Sequence, residues 1–224
     1  MNILLLNLTR FGDLIQSQAA VNDLTAQGHK VAMVCLGNFA EAGGLIHGLS
    51  HVFPFRGAAL LKTFDDTGLS AEKTWHHALA DLAAWREELR EEFKPDLICN
   101  LTPSLPARML SFFLSKNAAQ SGFALDERGF GINANAWAAF LQGAAISRGV
   151  SPFNIVDVFR MMAADVEYEP HVSPLPGNSS LLLPSEESRK RVASFLDNHA
   201  PSGHKGFIAF QLGASESRRR WPVT

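Results

Sequence analysis

The chain opens with a short run of large aliphatic residues, which is followed by a loop and a helical pattern. Residues 3–6 are Ile-Leu-Leu-Leu, a continuous apolar run typical of a parallel strand that is covered on both faces. Gly12 permits a tight turn, and the segment from Leu14 to Gln27 contains no Gly or Pro before Gly28. Because a buried strand that leads into a helix is the repeating unit of parallel sheets, this opening predicts an α/β fold with helices flanking a parallel sheet.

Asp13 lies where this strand is expected to give way to the helix, and two interpretations of it are open. Ligands of open parallel sheets bind outside the carboxyl ends of the strands, where helix N-termini offer unpaired backbone donors. An aspartate at this point can also be a helix cap, with Gln16 three residues later completing a variant of the capping box. Spacing alone favours the cap, because capping aspartates are commoner than catalytic ones.

Composition excludes several classes of protein. The 224 residues are 46% hydrophobic and carry a formal charge of −2, so we expect a globular protein that does not bind nucleic acid through a general basic surface. The apolar runs are too short to span a bilayer and the N-terminus lacks the features of a signal peptide, which predicts a cytoplasmic location. Cys35 and Cys99 lie in separate apolar runs and indicate buried thiols. His47 and His51 have the spacing of helical metal ligands, but Gly48 lies between them and no third ligand follows, so we expect no metal.

The rest of the first 170 residues predicts alternating strands and helices. Strands are expected over residues 30–36, 51–55, 96–101 and 121–125, and helices over 14–27, 39–49, 70–94, 105–115, 135–147 and 154–166. Residues 129–134 spell G-x-G-x-x-A, the pattern of a dinucleotide-binding turn. Three polar residues separate this motif from the strand before it, and no acidic residue follows at the expected distance, so we expect it not to be a strand-to-helix turn. A dinucleotide-dependent oxidoreductase would rest on that motif alone.

The composition changes after residue 170. Residues 171–180 are rich in turn formers and have no periodic apolar face, which predicts a linker between an N-terminal domain over 1–170 and a second α/β unit over 181–224. The second unit has too few predicted strands for a complete parallel-sheet domain, so we expect it to be only the start of one.

Two stretches carry a family resemblance. Residues 3–17, Ile-Leu-Leu-Leu-Asn-Leu-Thr-Arg-Phe-Gly-Asp-Leu-Ile-Gln-Ser, form an apolar run, a loop ending in Gly-Asp and the start of a helix. Residues 213–222, Gly-Ala-Ser-Glu-Ser-Arg-Arg-Arg-Trp-Pro, follow a predicted strand of the second unit, and residues 95–101 and the Gly-Phe pair at 122–123 lie between the two stretches. In this order they resemble the family-9 glycosyltransferases, the ADP-heptose:lipopolysaccharide heptosyltransferases and their relatives.

The resemblance implies a GT-B architecture, in which two Rossmann-like domains face a cleft, with the acceptor on the first and the nucleotide-sugar donor on the second. It implies inverting, metal-independent transfer of a heptose-like sugar from an ADP-heptose-like donor, without a further cofactor, to a lipopolysaccharide-core or similar glycan acceptor. Asp13 matches the proposed catalytic base of the family. Ser215 and Arg219 match positions that bind the donor phosphates, with Arg219 replacing a frequent Lys. A lipid-linked acceptor would bring the protein into peripheral contact with the inner membrane.

The basic residues also have explanations that involve no ligand. Residues 218–220 are three consecutive arginines and, without the resemblance, are typical of a solvated basic turn. Arg10, Arg56 and Arg128 follow predicted strands, where they could meet a phosphorylated or carboxylated acceptor, although each is individually typical of the surface. We treat these three as candidate acceptor-binding residues.

Two hypotheses from different classes follow. A complete family member continues into a donor-binding domain with acidic and Asp-x-Gly elements that this sequence lacks, so we expect a truncated glycosyltransferase that transfers sugar poorly by itself. The alternative is a catalytically silent sugar- or nucleotide-binding module of the same fold. If Asp13 is a base, its carboxylate should be accessible at the mouth of a cleft, whereas a capping carboxylate should be buried and bonded to backbone donors.

Overall fold

The computed structural model describes residues 1–57, 71–144, 152–164 and 184–199 of the chain. The chain divides into two units, Met1–Leu183 and Pro184–Thr224. The sheet lies in the first unit, and the described part of the second unit is one helix. The predicted linker over 171–180 lies outside the described residues, so the predicted domain boundaries stay predictions.

A parallel sheet organises the first unit. The described strands are β1 Asn2–Asn7, β2 Lys30–Leu36, β3 Leu49–Phe55, β4 Leu97–Asn100, β5 Ala119–Leu125 and β6 Gly131–Asn133. Their order in the sheet is β3-β2-β1-β4-β5-β6, with parallel pairing from β3 to β5 and antiparallel pairing of β6 with β5. The strand order reverses between β1 and β4, and ligands of such sheets bind at the carboxyl ends of the strands at that point.

Helices cover both faces of the sheet, as the α/β prediction requires. The first unit contains α1 Phe11–Ile15, α2 Gln18–Ala26, α3 Ala40–Gly43, α4 Ala71–Glu92, α5 Leu105–Leu114, α6 Ala136–Ala144 and α7 Ile155–Ala163, and the second contains α8 Glu186–His199. No helix within the described ranges is long and apolar enough to cross a membrane.

Strand β1 explains why the opening run is continuously apolar. Ile3 and Leu5 pack in the core cluster shared with α2 and α7, whereas Leu4 and Leu6 pack in the cluster shared with α4 and α5. Successive side chains of a strand point to opposite faces, so a strand covered on both sides needs apolar residues at every position. The prediction of a strand covered on both faces is therefore confirmed.

Both cysteines lie in this sheet. Cys35 and Cys99 are buried and unpaired, as predicted. Burial raises the pKa of the Cys35 thiol to about 11 and that of the Cys99 thiol to about 12, so both remain protonated at neutral pH.

Two helix predictions are wrong in extent. The helix predicted over 14–27 is two helices that meet at Ser17, whose N–H bonds the Leu14 carbonyl three residues back and tightens the end of α1. The helix predicted over 39–49 contains only the four residues of α3. There Gly43 lies so close to β3 that a Cβ atom would come within 2.8 Å of the Val52 side chain.

The G-x-G-x-x-A motif belongs to a β-hairpin. Oδ1 of Asp126 accepts hydrogen bonds from the backbone N–H groups of Arg128 at 3.0 Å and Phe130 at 2.8 Å, which shapes the turn between β5 and β6. Gly129 has a φ of +82°, a conformation that suits glycine. The prediction that this motif is not a strand-to-helix turn is confirmed, and the oxidoreductase hypothesis loses its basis.

Candidate functional site

The tripeptide Asn-Leu-Thr ends both central strands. Asn7 and Asn100 are completely buried, and each side-chain oxygen accepts a hydrogen bond from the N–H of the threonine two residues later, Thr9 at 3.2 Å and Thr102 at 2.9 Å. The N–H of Leu8 donates to Oγ1 of Thr102 at 2.9 Å and joins the two turns. The carboxyl ends of β1 and β4 are thereby fixed against each other.

Sequence reasoning missed this arrangement. The repeated tripeptide is visible in the sequence, but its two copies become neighbours only through the pairing of Leu6 with Asn100 in the sheet.

Asn7 also holds the loop that carries Asp13. Its side-chain NH2 group donates to the hydroxyl of Ser17 at 2.8 Å and to the backbone carbonyl of Asp13 at 3.3 Å. The residue at the cap position of α1 is Arg10, so Asp13 lies inside the first helical turn. The interpretation of Asp13 as the helix cap is therefore wrong, because the turn after Asn7 starts the helix three residues earlier than the sequence suggested.

The Asp13 carboxylate is half-buried at a cleft of about 490 Å³ beside the ends of β1 and β4. No hydrogen bond or ion pair to this carboxylate is found within the described part of the chain, so it has the accessible position expected of a base. Thr9, Gln16 and Gln142 line the same cleft. Of the described residues that line it, Asp13 alone carries a charge.

Gln16 is a second functional candidate of this cleft. Its side-chain oxygen is buried and accepts no hydrogen bond from the described residues. A buried acceptor without a partner costs about 1–3 kcal/mol, so a donor supplied by a ligand would be favourable there. Sequence reasoning placed Gln16 in a capping box and so missed this possibility, since the capping box does not form.

The apolar part of the lining includes Phe140 of α6, Phe159 of α7 and Phe153, which lies in the segment just before α7. Arg160 of α7 forms an ion pair with Asp23 of α2 at 2.6 Å, which fastens α7 to α2.

Arg108 is a buried cation that sequence reasoning also missed. All five of its N–H donors have partners. They bond the carbonyls of Pro103 at 3.1 Å, Ala124 at 3.0 Å and Ile132, and the side-chain oxygens of Asn133 at 3.1 Å and Gln142 at 3.1 Å. Burial lowers the pKa of Arg108. The acceptors belong to the loop after β4, the β5–β6 hairpin and α6, so Arg108 binds together three segments around the cleft.

The predicted acceptor-binding arginines do not join this cleft. Arg10 shares the loop with Asp13 but is exposed, and Arg128 is exposed in the hairpin turn. Arg56 lines a different cleft, of about 650 Å³, between β3 and α4. Ser215 and Arg219 lie outside the described residues, so their roles stay predictions.

The two histidines with metal-ligand spacing lie in different elements. His47 lies in a turn and His51 on β3, so the two do not share a helix. The described residues contain no group of three or more His, Cys, Asp or Glu side chains that could hold a metal ion.

The same arrangement of strands and helices occurs in solved glycosyltransferases. The chain superimposes over 99% of its length on Escherichia coli heptosyltransferase WaaC with ADP, at a TM-score of 0.58 and 15% identity. It superimposes equally completely on a family-9 glycosyl transferase from Veillonella parvula, at a TM-score of 0.64 and 13% identity. For Escherichia coli ADP-heptose LPS heptosyltransferase II the TM-score is 0.56, with 16% identity over 99% of the chain.

The chain has the fold of these glycosyltransferases. The fold prediction and the resemblance to family 9 are thus confirmed at the level of structure. The chain spans 61% of the WaaC structure, 56% of the Veillonella structure and 58% of heptosyltransferase II. No protein-family model matches the sequence, and no curated protein matches it either.

Proposed function

We propose that this chain is the acceptor-side domain, with the start of the donor-side domain, of an inverting, metal-independent glycosyltransferase. It transfers a heptose-like sugar from a nucleotide-sugar donor to a lipopolysaccharide-core or similar glycan acceptor. The observation that carries the proposal is the Asp13 carboxylate, which is accessible and without a partner among the described residues, at the cleft where the strand order reverses. Structural neighbours that were solved with ADP and with an ADP-2-deoxy-2-fluoro heptose support a nucleotide-sugar donor.

In the proposed reaction Asp13 is the general base. Its carboxylate takes the proton of an acceptor hydroxyl as that oxygen forms a bond to the anomeric carbon of the donor sugar. The bond between this carbon and the diphosphate oxygen breaks, and the nucleoside diphosphate leaves with the electron pair. Attack from the face opposite the leaving group inverts the configuration.

The departing diphosphate needs positive charge and hydrogen-bond donors. We assign this role to Ser215 and Arg219 of the second unit. A guanidinium binds phosphate as a planar fork and an ammonium as a point charge, so the replacement of Lys by Arg keeps the charge and changes the geometry of the contact. The enzyme would work in the cytoplasm, at the membrane face where a lipid-linked acceptor is held.

The direct test is acceptor-dependent turnover by the full-length protein. ADP-heptose and inner-core oligosaccharides are supplied together and separately, and release of ADP is followed. We expect ADP release that requires the acceptor and a product whose new linkage has inverted configuration. Binding of both compounds without any ADP release would contradict the proposal and indicate a catalytically silent binding module.

A further inference from the structure

The Asp13 cleft is polar at one part of its lining and aromatic at another. The polar groups are the Thr9 hydroxyl, the Asp13 carboxylate and the Gln16 amide, from the loop after β1 and the first turns that follow, and the Gln142 amide of α6. The rest of the described lining is apolar and comes from the loop after β4, from α6 and α7, and from the segment just before α7. A cleft with a few convergent polar groups and an aromatic wall is the usual form of a site for a small organic molecule.

The aromatic part of the lining belongs to a cluster of packed rings. The rings of Phe140 and Phe153, which both line the cleft, meet edge to face with centroids 5.5 Å apart and an interplanar angle of 85°. Trp137 packs against both, at 5.7 Å and 5.1 Å. Such edge-to-face contacts are an arrangement that aromatic rings prefer. Phe153 is nevertheless 45% exposed, a large exposed fraction for a phenylalanine that already has ring partners.

The charge of the lining limits what can enter. Among the described lining residues Asp13 is the sole charge, and the cations Arg10, Arg56 and Arg128 are not part of the lining. A phosphate or carboxylate placed beside Asp13 would meet a like charge, and the described lining residues include no cation to offset it. An uncharged ring avoids this repulsion, and its C–H bonds carry the partial positive charge that the negative face of an aromatic ring attracts.

We propose that the acceptor group received by this cleft is an uncharged sugar ring. The apolar face of the ring packs against Phe140 and Phe153. The reacting hydroxyl contacts Asp13, and a second hydroxyl donates a hydrogen bond to the side-chain oxygen of Gln16. Any phosphate or carboxylate of the acceptor stays outside the cleft. The inference rests on the proposed function, of which it specifies the acceptor.

The test measures binding of matched neutral and anionic sugars to the full-length protein by ligand-observed NMR. The probes are methyl α-glucopyranoside against methyl α-glucuronide, and methyl α-mannopyranoside against mannose 6-phosphate. We expect at least one neutral sugar to bind about tenfold more tightly than its anionic counterpart. Tighter binding of the anionic sugar in both pairs, or no binding of either neutral sugar, would overturn the inference.

Variants of the lining residues test whether the neutral sugar binds in the Asp13 cleft. Phe153→Leu keeps an apolar side chain of similar size but removes the aromatic face, and we expect it to weaken neutral-sugar binding about fivefold. Gln16→Leu, which removes the acceptor oxygen, should also weaken it. The matched control is Phe112→Leu on α5, which is 43% exposed and outside the cleft. An equal loss in the Phe112 and Phe153 variants would place the sugar elsewhere and overturn the inference.

The outcomes separate this inference from the proposed function. Selective binding of neutral sugars, without ADP release when donor and acceptor are supplied together, would support a neutral-sugar site at this cleft. It would contradict the glycosyltransferase and, with it, the role of that sugar as acceptor. Efficient transfer of the donor sugar onto an anionic acceptor ring would support the glycosyltransferase and overturn the inference that the acceptor ring is uncharged.

Discussion

The two Asn-Leu-Thr strand ends start alike and end differently. In both, a buried asparagine closes a turn onto the threonine two residues later. The side-chain NH2 group of Asn100 then reaches sideways, to the Phe123 carbonyl of β5 at 2.8 Å, whereas that of Asn7 reaches forward, to Ser17 and the Asp13 carbonyl. One copy holds the sheet together and the other holds the loop that presents the candidate base.

The difference follows from what comes next along the chain. After the second copy, Pro103 and Ser104 lead into α5, whose Arg108 bonds back to the Pro103 carbonyl. After the first copy, Arg10 to Asp13 enter a five-residue helix, in which the Asp13 carbonyl accepts a hydrogen bond from Asn7 and Leu14 is buried in the core. The bond to the Asp13 carbonyl makes Asn7 a positioning residue for Asp13, whereas Asn100 is a structural residue.

The largest expected loss of stability comes from a substitution beside Asn100, the asparagine of the second Asn-Leu-Thr copy. Gly122 has a φ of +73°, and a Cβ atom there would come within 2.2 Å of the Asn100 carbonyl oxygen. We expect Gly122→Ala to lower the free energy of unfolding by about 3 to 5 kcal/mol, because backbone strain and a backbone clash add. Urea denaturation followed by circular dichroism measures this loss.

Gly129 supplies the control for that prediction. Its φ of +82° is similar, but a Cβ atom there would meet nothing within 4 Å. Gly129→Ala should therefore cost only the strain, about 1–2 kcal/mol. Equal losses in the two variants would show that the close approach of β5 to Asn100 does not matter.

A smaller effect separates the two asparagines directly. Asn7→Ala and Asn100→Ala each leave buried polar groups without partners, so each should destabilise the protein by about 1–3 kcal/mol. Only Asn7→Ala should also lower kcat of the full-length enzyme, because only Asn7 positions the Asp13 loop. Steady-state kinetics at a temperature where both variants are folded measures this, and an equal fall in kcat for the two would break the comparison.

The fold could be predicted where a pattern of neighbouring residues determines the structure. The apolar run of β1 required burial on both faces, and the packing of Leu4 and Leu5 into different core clusters bears this out. The break between α1 and α2 could not be predicted, because Ser17 is held by Asn7, ten residues earlier. Strand β6 was missed because three exposed residues carry no periodic pattern and pair only with β5.

The candidate site shows the same limit. Asp13 was found from its place after a buried strand and from a family resemblance, which rests on residues 3–17 and 213–222 and needs no knowledge of the fold. The sequence does not mark Arg108 as buried, since its acceptors come from segments that only the folded sheet brings together. Phe140 of α6 and Phe153, just before α7, reach the same cleft from segments more than a hundred residues after Asp13.

The central claim is that the Asp13 carboxylate is the base. Asp13→Asn keeps the size of the side chain and removes its ability to take a proton, and Asp81→Asn, at an exposed position on α4, is the matched control. In the full-length enzyme, kcat at saturating donor and acceptor should fall at least ~100-fold in Asp13→Asn, with donor affinity unchanged, and should stay at the wild-type value in Asp81→Asn. An unchanged kcat in Asp13→Asn would contradict the account.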